Sequence, residues 1–277
     1  MMSLSKSNHL KKIAFHGVPR SGTSWVGSIF DSSPNVAYRH QPLFSYAFKS
    51  FLNEHSNKYD IDLFFDKILK TEDDFVLRKS EKAEKLIPSF NKTAITHIIY
   101  KEARYHNILE NLLLKHPYII VVGIIRNPKS VLSSWFNAPK EFNKEKWNPY
   151  NEWRDAKLKN ANLPENYYGY NKWKEVAKMI LHFKNNYPKR FYLIDYRKLL
   201  NNTKEEVSKL FDFCEIPLDI QTINFIDESK SRDISQDAYS VYRKNQQDDK
   251  WKEILTQSII NEIDRDLKNT ELERFNY

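Results

Sequence analysis

The chain has 277 residues, of which 40% are apolar, and a net charge of +8 with a pI near 9.2. Its longest apolar run, Tyr118–Ile125, is far shorter than the roughly 20 residues that cross a bilayer, which disfavours a transmembrane protein. The single cysteine, Cys214, excludes an internal disulfide and is predicted to be a small buried residue. We expect one domain over residues 1–277 and a cytoplasmic location.

The positive charge has two interpretations. It favours an anionic ligand or an acidic surface, or it reflects a lysine-rich composition that keeps the chain in solution. No run of basic residues forms a nucleic-acid-binding patch, so we predict no nucleic-acid partner. Peripheral contact with a membrane stays open.

Short apolar runs predict the strands of a parallel sheet. In chain order they are Ile13–Val18, Asn35–His40, Ala94–Tyr100, Tyr118–Ile125 and Phe191–Tyr196. Segments with helical periodicity lie between and after them: 23–31, 43–52, 61–69, 108–113, 130–136, 176–181, 203–214 and 251–263. Thr203 and Glu206 have the spacing of a capping box. The alternation predicts an α/β three-layer sandwich, with a central parallel sheet, flanking helices and a phosphate-binding loop of the P-loop type.

Residues 140–172 interrupt this alternation. The segment is polar and dense in aromatic residues, which predicts an inserted cap or flap. Its aromatic side chains have two interpretations: they stack on sugar rings, or they pack the underside of the flap.

The loop between the first strand and the first helix is the strongest signal. Two of the five glycines, Gly17 and Gly22, bracket it with the spacing of a Walker A loop. Backbone N–H groups at such a helix start bind phosphate. Thr23 stands where the Walker lysine would be, and the cation lies inside the loop, at Arg20. This disfavours a metal-assisted triphosphate site and suits a terminal group of lower charge.

Two further basic constellations follow. Arg126 comes at the end of a buried strand, where ligands of open α/β sheets bind, and Ser134 lies eight residues later on the next helix. This pair predicts a second phosphate site, and a surface ion pair is the alternative for the arginine taken alone. The third constellation is Arg243 and Lys244, ahead of Trp251; taken alone, it is typical of a solvated basic loop.

Together these motifs resemble the sulfotransferase family that uses 3′-phosphoadenosine 5′-phosphosulfate (PAPS). The family loop P-[KR]-S-G-[TS]-[TS]-[WF] reads here as Pro19, Arg20, Ser21, Gly22, Thr23, Ser24 and Trp25. The family motif R-[ND]-P with a later serine is matched by Arg126, Asn127, Pro128 and Ser134. Arg243, Lys244 and Trp251 resemble a late R-K-G-x-x-G-D-W motif, but Asn245 replaces its glycine and the spacing to the tryptophan is longer.

The resemblance implies sulfuryl transfer from PAPS to an acceptor hydroxyl, with no metal. It places the 5′-phosphosulfate on the loop, with Arg20 at the leaving oxygen, and the 3′-phosphate on Arg126, Ser134, Arg243 and Lys244. It puts Lys101 at the sulfuryl oxygens and Trp25 and Tyr196 on the adenine; ordinary core packing is the alternative for these two rings.

The carbohydrate branch of the family is the nearest resemblance. Lys101-Glu102-Ala103-Arg104 is similar to its K-x-[VA]-R stretch, and the segment around Tyr196 to its Y-E-D-L stretch. This implies a carbohydrate or glycan acceptor and a bacterial enzyme. That branch has a glutamate as general base where this chain has Gln41, and an amide cannot accept the proton. The candidate bases are therefore His40 and Glu102, then His97.

Two alternatives remain open. A P-loop nucleotide or small-molecule kinase would bind Mg-ATP, and the missing lysine argues against it. A catalytically silent member of the family would bind adenosine 3′,5′-bisphosphate or a sulfated glycan without reacting. Gln41 favours this alternative, because it stands where the carbohydrate branch has its general base.

Overall fold

The computed structural model describes residues 10–232, 240–242 and 247–277. Across these residues one parallel sheet runs through the molecule in the order β2-β3-β1-β4-β5. Its strands are β1 (Lys11–His16), β2 (Val36–His40), β3 (His97–Glu102), β4 (Ile120–Ile125) and β5 (Phe191–Asp195). Each predicted strand is present, with its ends shifted by a few residues.

Helices connect the strands and follow the last one. They are α1 (Thr23–Ser32), α2 (Lys58–Leu69), α3 (Asp74–Leu77), α4 (Lys79–Ala83), α5 (Leu109–Lys115), α6 (Pro128–Phe136), α7 (Pro149–Glu152), α8 (Lys157–Asn160), α9 (Tyr170–Asn186), α10 (Tyr196–Asn201), α11 (Thr203–Cys214), α12 (Ile220–Ser231), α13 (Trp251–Ile254) and α14 (Gln257–Leu267). Short 3₁₀ turns cover Pro42–Phe44, His106–Ile108 and Glu273–Phe275.

Alternate residues of each strand enter two separate cores. In β1, Ile13 and Phe15 pack with apolar residues of α1, α11 and α12, whereas Ala14 packs with those of α2, α5, α6, α9 and α14. In β4, Val121 and Val122 divide in the same way. A sheet buried on both faces needs apolar residues at every position, which is why β4 is a continuous apolar run. The predicted α/β three-layer fold is confirmed.

The helix predicted over 43–52 is wrong. A single 3₁₀ turn forms at Pro42–Phe44, and the rest of the segment consists of turns and bends. Side-chain oxygens accept hydrogen bonds from backbone N–H groups that would otherwise bond within a helix. Glu102 accepts one from the Leu43 N–H, and Ser45 Oγ accepts one from the Phe48 N–H. Local side-chain hydrogen bonds of this kind compete with helix formation.

Two smaller expectations also fail. The helix predicted over 251–263 is divided at Leu255 and Thr256 into α13 and α14. The capping box does not form, because Thr203 is already the first residue of α11 and Asn202 precedes it without a side-chain cap. The Thr203 hydroxyl instead accepts a hydrogen bond from Lys230. Cys214 is free and buried, as predicted.

The aromatic residues of segment 140–172 are largely buried. Phe142, Trp153, Tyr167, Tyr168 and Tyr170 all belong to the core on the α6 and α9 side of the sheet. Packing accounts for these rings, which leaves their stacking on sugar rings without support. The extent of the segment as an insert stays a prediction.

Candidate functional site

The loop between β1 and α1 opens the helix start toward a cleft. Gly22 precedes the helix with a φ of 86°, and a Cβ there would lie 2.5 Å from the Tyr196 ring, so glycine is needed for both backbone and space. No side chain caps the helix, and its first turn holds no acidic residue. The unshared first-turn N–H groups and the helix dipole favour an anion at this position.

One cleft collects most of the predicted binding residues. Its wall is formed by Arg20, Gly22, Thr23, Ser24, Trp25, Arg126, Ser134 and Tyr196, together with Leu200, Ser229, Lys230, Ser240 and Val241. The first eight come from the two predicted phosphate motifs and the predicted adenine contacts. Sequence reasoning missed the last five, because no motif marks them. Ser21 is buried behind the loop, and its hydroxyl has no hydrogen-bond partner.

Two arginines meet across this cleft. Arg126 follows β4, and α6 begins two residues later with Asn127 as its cap and Pro128 in its first turn. Its NH1 group donates to the Arg20 carbonyl at 2.8 Å, while Arg20 Nε donates to Ser134 Oγ at 3.1 Å. Arg20 itself has a φ of 71°, in the left-handed region that non-glycine residues rarely adopt. The two predicted phosphate sites are therefore adjacent.

Arg126 has an acidic partner from the C-terminal part of the chain. Its Nε donates to Asp248 Oδ1 at 2.9 Å, and the Tyr277 hydroxyl donates to Asp248 Oδ2 at 2.9 Å. Burial acts to lower the pKa of Arg126, but the Asp248 carboxylate outweighs it and raises that pKa above its usual range. The guanidinium also lies over the Tyr196 ring at 4.7 Å. It is therefore a fixed, fully charged donor.

The predicted adenine contacts lie side by side on the cleft wall. The Trp25 and Tyr196 rings meet edge to face at 6.4 Å, and Trp25 Nε1 donates to Ser229 Oγ at 3.0 Å. Tyr196 begins α10, where Asp195 caps the helix through its side chain. Apolar ring faces of this kind can pack against a planar base.

Lys101 and Glu102, at the end of β3, do not line the cleft and are buried beside it. Burial lowers the pKa of Lys101, and nearby Arg78 acts in the same direction. Burial raises the pKa of Glu102, against the opposing effect of the Leu43 N–H that its Oε1 accepts at 2.7 Å. Glu102 therefore holds the turn after β2 and is sealed from solvent.

His40, the other leading candidate base, is also enclosed. Its ring nitrogens contact the Tyr38 hydroxyl at 3.5 Å and the Gln41 amide at 3.1 Å. Burial, then Lys101 and Arg78, hold its pKa well below the usual histidine range. His97 is the first residue of β3, level with the start of β1, and its Nε2 contacts the Cys214 carbonyl at 3.1 Å. The loop follows the other end of β1, so His97 is remote from it.

A carboxylate that sequence reasoning missed lies next to the loop. Glu141, in the turn after α6, has its Oε1 3.9 Å from NH1 of Arg20. Its position could not be found from periodicity, because segment 140–172 has none. Arg243 and Lys244 lie outside the described residues, so their predicted contact with a 3′-phosphate stays a prediction.

Within the described ranges, no three acidic, histidine or cysteine side chains gather as a metal site would require. No helix in the same ranges is long and apolar enough to cross a membrane.

Comparison with known proteins identifies the family. A family model described as "Sulfotransferase domain" matches residues 10–275. Mouse sulfotransferase SULT7A1 complexed with PAP has a TM-score of 0.55 at 15% identity, covering 95% of this chain and 87% of that chain. Retinol dehydratase in complex with androsterone and inactive cofactor PAP has a TM-score of 0.53 at 14% identity. That match covers 94% of this chain and 82% of the retinol dehydratase chain. The sulfotransferase domain from the curacin biosynthetic pathway has a TM-score of 0.51 at 17% identity. That match covers 93% of this chain and 97% of the curacin domain. No curated protein matches significantly. At these identities the solved structures show a shared fold.

Proposed function

The chain belongs to the sulfotransferase domain family, and on that premise we propose that it transfers a sulfuryl group from PAPS to a hydroxyl of a carbohydrate or glycan. The observation that carries the donor assignment is the pair of linked arginines on one cleft wall beside the open start of α1. Two adjacent cationic sites suit a nucleotide with two separate anionic groups.

The residues of the cleft fit such a donor. The first-turn N–H groups of α1, with Thr23 and Ser24, would hold the 5′-phosphosulfate, and Arg126 with Ser134 would hold the 3′-phosphate. Trp25 and Tyr196 would flank the adenine. The donor supplies the sulfuryl group and its phosphate leaving group.

Arg20 is our choice for the residue that stabilises the leaving oxygen. It lies in the loop itself, and its hydrogen bond to Ser134 brings it toward the Arg126 side of the cleft. A donor fixed where negative charge develops lowers the barrier without reorganising during the reaction. Lys101 is buried and does not line the cleft, so its role at the sulfuryl oxygens is proposed from the family resemblance alone.

A basic and aromatic surface next to His40 supports a carbohydrate acceptor. The Phe44 and Phe75 rings are 41% and 40% exposed and lie 5.9 Å apart, next to His40. The Arg104 guanidinium lies 4.0 Å over the Phe44 ring. Exposed aromatic faces can pack against the C–H face of a sugar ring, while a guanidinium donates hydrogen bonds to its hydroxyl oxygens.

Calorimetry tests the donor assignment. We expect adenosine 3′,5′-bisphosphate to bind without metal and Mg-ATP to bind far more weakly. Binding of Mg-ATP with no binding of the bisphosphate would favour the kinase alternative. Bisphosphate binding without any cleavage of PAPS would favour the catalytically silent alternative.

An acceptor panel tests the second half of the proposal. Radiolabelled PAPS would be offered with oligosaccharides, steroid alcohols and phenols in parallel. We expect transfer to oligosaccharides, and transfer confined to steroids or phenols would contradict a carbohydrate acceptor. A cytoplasmic location is part of the proposal and is supported by the single, unpaired cysteine.

A further inference from the structure

The Glu141 carboxylate is placed unusually for a structural residue. Its Oε1 lies 3.9 Å from the Arg20 guanidinium, beyond hydrogen-bond distance, and its side chain remains 21% exposed. Its Oε2 is enclosed by protein and has no hydrogen-bond partner. An enclosed carboxylate oxygen without a partner is costly. Glu102 Oε2 is in the same position, but the Glu102 side chain is fully buried, whereas that of Glu141 is partly exposed and open to a ligand.

The turn that carries Glu141 is firmly anchored. The Glu141 N–H donates to the Ala138 carbonyl at 2.8 Å, and Trp135 Nε1 donates to the Glu141 carbonyl at 3.1 Å. The next residue, Phe142, is buried against the Trp135 ring. A group held on both sides in this way keeps the fixed position that catalysis requires.

The charges around Glu141 mark the reacting end of the cleft. Burial lowers the pKa of Lys101, and the negative charge of Glu141 is one of the influences that oppose it. Glu141 opposes the same effect of burial on the pKa of Lys159. Its carboxylate thus faces the Arg20 guanidinium, the group that we assign to the leaving oxygen.

The bases predicted from the sequence are less suitable. Glu102 is fully buried, whereas the Glu141 side chain is 21% exposed, and burial raises the pKa of Glu102, which favours its protonated form near neutral pH. Both ring nitrogens of His40 face polar partners. A general base must reach the proton that it removes, so accessibility counts against both residues.

We propose that Glu141 is the general base of this enzyme, a role that rests on the sulfuryl transfer proposed above. Its carboxylate takes the proton of the acceptor hydroxyl as the hydroxyl oxygen forms a bond to sulfur. The bond from sulfur to the 5′-phosphate oxygen breaks, and its electron pair stays on that oxygen beside Arg20. The products are the sulfate ester and adenosine 3′,5′-bisphosphate, and Glu141 then releases the proton to water.

Single-turnover cleavage of radiolabelled PAPS, with water as the acceptor, tests the proposal without a known acceptor. In the Glu141→Gln variant we expect cleavage to slow by about 10²- to 10⁴-fold, the usual contribution of a positioned base. Affinity for adenosine 3′,5′-bisphosphate, measured by calorimetry, should change far less than the cleavage rate, because a general base acts on the acceptor proton and not on the bisphosphate. Cleavage at the wild-type rate would overturn the proposal.

Two controls separate a base from a positioning residue. Glu145→Gln removes the same charge from an exposed residue of the same segment and should leave both measurements unchanged. In Glu141→Ala, added formate should restore cleavage, because formate can fill the cavity and accept the proton. No response to formate would show that Glu141 only positions Arg20. If the wild-type protein neither cleaves PAPS nor binds the bisphosphate, sulfuryl transfer itself is the part that fails.

Discussion

The arginines at the two ends of the cleft have different partners. At one end, Arg126 is half-buried, hydrogen-bonds Asp248 and lies over the Tyr196 ring. At the other end, Arg20 faces Glu141 across 3.9 Å and donates from Nε to a neutral hydroxyl, that of Ser134. The Arg126 guanidinium is hydrogen-bonded to its carboxylate, Asp248. The Arg20 guanidinium lies 3.9 Å from its carboxylate, Glu141, which is beyond hydrogen-bond distance.

This difference suggests a division of labour. Tight pairing at the Arg126 end favours a fixed orientation for binding, because a preformed donor loses little conformational freedom when the ligand arrives. Arg20 lies in the loop, where the leaving oxygen of the proposed reaction would become more negative in the transition state. Substitutions at the two ends should therefore affect different measurements.

The largest effect is expected at Arg20. Arg20→Ala removes the donor to the leaving oxygen, and we expect PAPS cleavage to fall by at least about 10²- to 10³-fold, as for the loss of one such donor. Bisphosphate affinity should change much less. Single-turnover kinetics and calorimetry together check this split, with Arg20→Lys as the variant that keeps the charge. A bisphosphate affinity that falls as far as the rate would remove the distinction between the two ends.

Arg126→Ala should give the reverse pattern. We expect bisphosphate binding to weaken by about 1.5–3 kcal/mol, the range for a hydrogen bond to a charged group. Calorimetry with adenosine 5′-phosphate provides the control, because a ligand without a 3′-phosphate should be insensitive to this substitution. Equal losses for both ligands would show that Arg126 does not bind the 3′-phosphate.

A smaller effect of opposite sign is expected at Asp248. A 3′-phosphate bound as we propose would share the Arg126 guanidinium with this carboxylate, and the two negative charges would repel each other. Asp248→Asn should therefore strengthen bisphosphate binding by about 1 kcal/mol, the scale of a screened charge interaction. Weaker binding in this variant would mean that Asp248 orients Arg126 more than it competes with the ligand.

The smallest effect concerns the buried wall beside the reacting end. Burial raises the pKa of Glu102, so the folded protein holds this proton more tightly than the unfolded chain does. This contribution to stability is present at low pH and is lost as pH rises from the ordinary carboxyl range toward neutrality. Glu102→Gln should flatten that decline. Urea unfolding of both proteins from pH 5 to 8 measures it, and parallel curves would contradict a protonated Glu102.

Residues that are neighbours along the chain predicted much of the fold. The apolar run of β4 predicts a strand buried on both faces because it lacks polar interruptions, and the bracketing of Arg20 by Gly17 and Gly22 predicts an anion loop. Failures occurred where distant side chains decide local structure. The segment after β2 looked helical, but a carboxylate from β3 takes its first N–H group.

By itself, the sequence determined the sheet, the loop and the two basic motifs, since each depends on residues that are neighbours along the chain. Tertiary structure alone decided which charges meet. Glu141 reaches Arg20 from the turn after α6, and Asp248 reaches Arg126 across 122 residues. No periodicity encodes such pairs, because the packing of several elements sets their distance. The family therefore follows from short motifs, whereas the proposed base follows from the assembled cleft.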